Sequence, residues 1–149
     1  MTDLTAFKEL VPLDHGLAVV VTVRPDGSPQ SSLVTAGVLA HPRTGDDVVG
    51  FVVAGGAHKL AHLRADPRAN VALHAGFRWA TVEGTAQIIG PDDHPYADLD
   101  ADQLRVLLRD VFTAAGGTHD DWDTYDRVMR DERRAAVLVT PTRTYGTPS

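Results

Sequence analysis

Apolar positions along the chain follow two rhythms. Leu17-Ala18-Val19-Val20-Val21-Thr22-Val23 is continuous and β-branched, which predicts a well-buried strand. Pro25-Asp26-Gly27-Ser28 follows as a tight turn, its Asp-Gly pair supplying the positive φ of a hairpin. A second strand is expected from about Gln30 to Leu39, a turn over His41 to Asp47, and a third strand from Val48 to Ala54. Two more strands are expected at Ala69 to Ala75 and Arg78 to Ile89, with Gly76 in the close turn between them. Gly90-Pro91-Asp92-Asp93 breaks the pattern, and Ala135-Ala136-Val137-Leu138-Val139-Thr140 restores it as a last long strand. Arg143-Thr144-Tyr145 is a candidate for a separate short strand.

The other rhythm is helical. Asp3 to Leu10 places Leu4, Phe7 and Val11 on one side. Ala57 to Ala65 predicts a short helix that ends at Asp66-Pro67, because a residue before proline is pushed out of the α region. Asp100 to Ala115 carries Leu104, Leu107, Leu108, Val111 and Phe112 at helical spacing and stops at Gly116-Gly117. Asp120 to Glu132 repeats Trp122, Tyr125, Val128 and Met129 at three or four residues. The fold class is therefore mainly β with flanking helices, an α+β arrangement. Hairpin-linked strands imply an antiparallel sheet, and six or seven of them in so short a chain tend to close into a barrel. No glycine fingerprint follows a strand, which disfavours a parallel dinucleotide-binding sheet. With no repeat and no linker, residues 1–149 read as a single domain.

Composition narrows the function classes. The net charge of −6 argues against general nucleic-acid binding, which needs clustered Lys and Arg. No apolar run is long enough to span a bilayer, and Met1-Thr2-Asp3-Leu4 lacks the layout of a signal peptide. Cysteine is absent, so there is neither a disulfide framework nor thiolate chemistry. A cytoplasmic location is the expectation.

The segment with most chemical content runs from Val52 through Gly55-Gly56 and Lys59 to Asn70. A buried strand, a Gly-Gly turn and a helix start would aim the N–H groups of Ala57, His58 and Lys59, and the Lys59 ammonium, at one point. Such a point suits a phosphate; the competing reading is a solvated lysine on an amphipathic helix. His58 and His62 stand four apart on one helix face, but no HExxH pattern or third ligand accompanies them. Structural or cofactor-contact roles therefore come before a metal site. Arg64 and Arg68 flank the same helix and suit either an anionic tail or ordinary surface charge. Trp79 reads as core or interface packing, or as a flat wall for a planar ring. Trp122 and Tyr125 read as helix packing, and the carboxylates of Asp120, Asp121 and Asp123 suit a helix start. Ser31, Ser32 and Thr35 have no base-orienting partner, so no nucleophile is assigned.

In these residues the chain resembles the pyridoxamine 5′-phosphate oxidase-like split β-barrel proteins. Within them it resembles the actinobacterial deazaflavin (cofactor F420)-dependent oxidoreductases of the B type. Four ordered stretches carry the likeness: Val21 to Gln30; the Lys59 helix ending in Leu63-Arg64-Ala65-Asp66-Pro67-Arg68-Ala69; Val82-Glu83-Gly84-Thr85-Ala86-Gln87; and Arg133-Arg134 with the strand ending in Tyr145-Gly146. The resemblance implies a homodimer with two cofactor sites built from both subunits, and a phosphate near Lys59. It implies a ring system lying along Ser32, Leu33 and Val34 and along Val52, Val53 and Ala54. Trp79 and the Arg133-Arg134 pair would approach from the other subunit. Reduced F420 would pass a hydride to a conjugated small molecule, with bulk water, Tyr145 or Arg134 as proton source. The alternatives are an FMN enzyme on the same fold and a non-enzymatic carrier or sensor of F420, a flavin or a tetrapyrrole. Two positions depart from the family pattern. Ala57 stands where an arginine is common and His62 where an asparagine is common, which leaves His58 and His62 as candidate substitutes at the cofactor.

Overall fold

The computed structural model describes residues 2–148. Helix α1 (Thr5–Leu10) runs into a 3-10 turn, Val11–Asp14. Three hairpin-linked strands follow: β1 (Leu17–Val23), β2 (Pro29–Ala40) and β3 (Asp47–Val53). Next come α2 (His58–Ala65), β4 (Arg68–Ala75) and β5 (Arg78–Ile89). Helices α3 (Ala101–Ala114) and α4 (Trp122–Asp131) precede the last strand, β6 (Ala135–Gly146). Every strand pair is antiparallel, and the order β1-β2-β3-β6-β5-β4 closes into a six-stranded barrel through β4 and β1. The expected fold class is what the chain adopts.

Arg143-Thr144-Tyr145 is not a seventh strand. It is the far end of β6, paired along β5 as Glu83↔Arg143 and Thr81↔Tyr145. Pro141 has no N–H for a ladder, and the register shifts at Glu83/Gly84, so Thr142 is left over as a bulge residue. The Thr142 hydroxyl donates to the Glu83 carbonyl at 3.1 Å.

Inward residues alternate along each strand, and Val20, Phe51, Val71, Val82 and Val137 fill the barrel with no exposed surface. A second apolar layer lies outside, where Leu107, Leu108 and Val111 of α3 cover Val48, Ile89 and Leu138. Close approach is possible there because residue 37 is glycine: a Cβ would stand 2.3 Å from the Ala114 carbonyl oxygen. Helix α3 starts at a reciprocal cap. The Asp100 carboxylate accepts from the Gln103 N–H at 2.8 Å, and the Gln103 side chain accepts from the Asp100 N–H at 2.9 Å. Asp100→Ala should cost about 1 kcal/mol of stability, read as a lower denaturation midpoint.

Helix α4 buries only Tyr125. Tyr125 joins Phe112, His119 and Trp122 in an aromatic cluster with ring centroids 5.0–6.4 Å apart. Its hydroxyl donates to the Leu108 carbonyl at 3.1 Å, and burial pushes its pKa up to about 12. Trp122 and Tyr125 therefore pack the helices, as the sequence suggests.

The opposite side of the barrel has no helical cover. Leu17 and Val19 of β1, Leu33 of β2 and Trp79 of β5 point outward there and are 38%, 42%, 63% and 41% exposed. Val19 pairs with Leu33 and with Ala72, so the apolar face is continuous across three strands. No helix among the described residues is long and apolar enough to cross a membrane.

Candidate functional site

An open cleft of about 390 Å³ lies where β3 ends and α2 begins. Its walls are Val52, Val53 and Ala54 from β3 and the turn after it, Leu33, Val34 and Thr35 from β2, and Leu17 from β1. Ala57, Lys59 and Arg134 complete it. It therefore opens at the edge of the uncovered apolar face.

Its electrostatics are one-sided. Two cations border the cleft and no carboxylate does. Lys59 forms no ion pair among the described residues, whereas Arg134 is held by Glu132 at 2.8 Å. Burial, and then the Arg134 guanidinium, hold the Lys59 ammonium below the ordinary lysine range. Helix α2 starts on Ala57, with no side chain capping its free N–H groups, although Ser, Thr, Asp or Asn usually stands at such a position. An anion in the cleft would satisfy both the cations and the helix start.

The two glycines of the turn have different surroundings. Gly55 packs on the backbone before β6: its N–H donates to the Glu132 carbonyl at 3.0 Å, and a Cβ there would lie 2.8 Å from the Arg133 carbonyl oxygen. Gly56 faces open space. Gly55 thus seats the Arg133-Arg134 corner against the start of α2. Arg133 turns that corner with φ 50°, directing Arg134 into the same chain's cleft. Arg134, expected to approach from the other subunit, borders the cleft of its own chain.

Other expected contacts lie elsewhere. His58 is exposed and does not border the cleft. His62 faces the barrel, its Nδ1 3.1 Å from the hydroxyl of buried Thr22. Arg134, and neither histidine, joins Lys59 as a cation on the cleft's walls. Ser32 does not line the cleft, and Trp79 packs edge-on against Tyr145 at 6.1 Å on the uncovered face. The Tyr145 hydroxyl donates to the Glu83 carboxylate at 2.6 Å, away from Lys59. Arg64 pairs with Asp93 and Arg68 with Asp66, which makes both surface charge. Among the described residues no three His, Asp or Glu side chains converge on a metal position. Leu17 borders the cleft without having been singled out; its pairing with Thr35 across β1 and β2 is the signal that brings it there.

A family model described as pyridoxamine 5′-phosphate oxidase matches residues 4–147. The chain belongs to this family. A comparison with curated protein sequences finds no match. Among solved structures, a conserved hypothetical protein of Mycobacterium tuberculosis shares the fold at TM-score 0.62 and 20% identity, over 93% of this chain and 81% of that one. A protein described as an F420 reductase aligns at TM-score 0.57 and 18% identity, over 87% and 88% of the two chains. A pyridoxamine 5′-phosphate oxidase-related, FMN-binding protein of Nostoc punctiforme aligns at 0.60 and 15%, over 95% and 78%. At such identities the likeness shows a shared barrel, and the pyridoxamine 5′-phosphate oxidase assignment rests on the family model.

Proposed function

We propose that the protein is an F420-dependent oxidoreductase that acts on a conjugated small molecule and holds its cofactor's phosphate in the Lys59–Arg134 cleft. The observation that carries this reading is a cleft with two cations, an uncapped helix start and no carboxylate on its walls. Arg134 supplies a planar fork of donors and Lys59 a point charge, a pairing suited to one phosphate. Val52, Val53 and Ala54 offer backbone and small apolar surface beside it, room for a flat ring. When bound, such a cofactor supplies the hydride chemistry; the chain's own part is to hold it, orient it and exclude water from one face. The F420 reductase of the same fold supports the choice of cofactor, and the FMN-binding relative supports FMN as the alternative.

A homodimer belongs to the same reading. Leu17, Leu33 and Thr35 lie on the uncovered apolar face and also wall the cleft. A second copy seated on that face would cover the apolar residues and close the cleft's open side, with Trp79 available to the partner's site. Titration of the purified protein with F420 and with FMN, alongside its mass in solution, tests both parts. A dimer that binds F420 more tightly than FMN and oxidises the reduced form in the presence of a quinone supports the proposal. Tighter FMN binding moves the function to the alternative, and failure to bind either removes the cofactor reading.

A further inference from the structure

A second cavity, of about 260 Å³, lies between α3 and α4, on the opposite side of Arg134 from the Lys59 cleft. Leu104 and Leu108 of α3, Met129 of α4 and Pro91 line it with apolar surface. Arg105, Arg130 and Arg133 border it as exposed side chains, and Arg134 borders both cavities.

Two carboxylates also line the cavity: Asp102, which is exposed and meets only Arg105, and Asp126, which is engaged. Asp126 accepts both the Nε and an Nη of Arg109, the Nε at 2.9 Å. Asp92 is held by Arg133 in the same two-pronged way, its Nε bond 3.1 Å long. Arg105 reaches Asp102 and Asp126 only at 3.6 and 3.8 Å, and Arg130 forms no ion pair among the described residues. A greasy cavity with guanidinium groups at its mouth, one of them free and one loosely held, asks for a ligand with an apolar body and an anionic head. A guanidinium fork matches a carboxylate geometrically, and the cavity is too small for a macromolecular segment.

We propose that the α3–α4 cavity is a second ligand site, for a small carboxylate with an apolar chain or ring. Its apolar part rests on Leu104, Leu108 and Met129, and its carboxylate meets Arg130 and Arg105. The site stands apart from the cofactor reading, since neither Arg130 nor Leu104 borders the Lys59 cleft.

Calorimetric titration of the full chain with octanoate tests it, with octanol as the uncharged probe of equal length. Octanoate should bind with one site per chain and more tightly than octanol. Arg130→Gln, an exposed change, should weaken octanoate about 10-fold, as expected for one charge-assisted hydrogen bond. Leu104→Trp should fill the cavity and abolish binding, and Lys59→Gln should leave it within twofold. Absence of octanoate binding to the wild-type chain overturns the proposal. So does octanol binding as tightly as octanoate, or Arg130→Gln binding with wild-type affinity; the last readout stands even if Leu104→Trp fails to fold.

Discussion

Lys59→Gln lowers affinity for the phosphorylated cofactor about 10- to 100-fold and leaves the denaturation midpoint unchanged or higher. The two halves of this result come from one cause. A hydrogen bond between an ammonium and a phosphate is charge-assisted and contributes about 1.5–3 kcal/mol, which corresponds to that range of affinity. In the free protein the same ammonium is partly buried beside Arg134 with no counter-ion, and its pKa is lowered for that reason. A base whose folded pKa lies below its unfolded value carries its charge at a cost below the folded pKa. That cost is relieved as pH rises from the folded pKa to the ordinary lysine value, because the unfolded chain then binds more protons than the native one. Removing the charge removes the cost. The same depression sets the pH profile of binding: cofactor affinity of the wild type should begin to fall below the ordinary lysine range, and the fall should vanish in Lys59→Gln. Titration of both proteins over the alkaline range, with thermal denaturation alongside, reads all of these outcomes.

Gly55→Val destabilises the protein and weakens cofactor binding together, whereas Gly56→Ala does neither. The adjacent glycines look equivalent in sequence, but their surroundings differ. A Cβ on Gly55 would stand 2.8 Å from the Arg133 carbonyl oxygen and 2.9 Å from the Arg133 Cβ, while nothing lies within 4 Å of one on Gly56. All of the close atoms belong to Arg133, its backbone and Cβ rather than the end of a flexible side chain, so the corner must move. Overpacking of this kind costs about 1–3 kcal/mol. The movement is transmitted at once to Arg134, the next residue after the strained Arg133 and one of the cleft's two cations. Chemical denaturation and cofactor titration of the two variants should separate them cleanly. Equal behaviour of Gly55→Val and Gly56→Ala would contradict the packing role assigned to Gly55.

The parts of this architecture that depend on local pattern were readable in the chain. The strand positions, the Asp-Gly hairpin, the helix from Asp100 and the Pro67 stop are each decided within a few residues, whereas the exposure of alternate β1 residues was not foreseen from its continuous apolar run. The walls of the cleft from Val52 to Lys59 were readable for the same reason, since a strand, a turn and a helix start fix their own geometry. What escaped depends on closure of the barrel. Arg134 reaches Lys59 because β3 pairs with β6 through Val53↔Ala135, a contact between distant segments that no local spacing reports. His62 looked like a cofactor contact because its helical face was known, but the face that meets β1 and Thr22 was not. Thr142 and Pro141 made β6 look interrupted, because a bulge and a strand end share the same residue signals. Ser32 stands beside Leu33 in sequence yet outside the cleft, whose β2 wall runs from Leu33 to Thr35.

The central claim is that Lys59 and Arg134 hold a cofactor's phosphate, and a two-by-two binding cycle tests it most directly. Wild type and Lys59→Gln are each titrated with F420 and with its deazaflavin core lacking the phosphate. If Lys59 meets the phosphate, the substitution weakens F420 about 10-fold or more and leaves the phosphate-free core within twofold, so the coupling energy is large. Equal losses for both ligands, or no loss for either, would contradict the claim and return Lys59 to the protein surface.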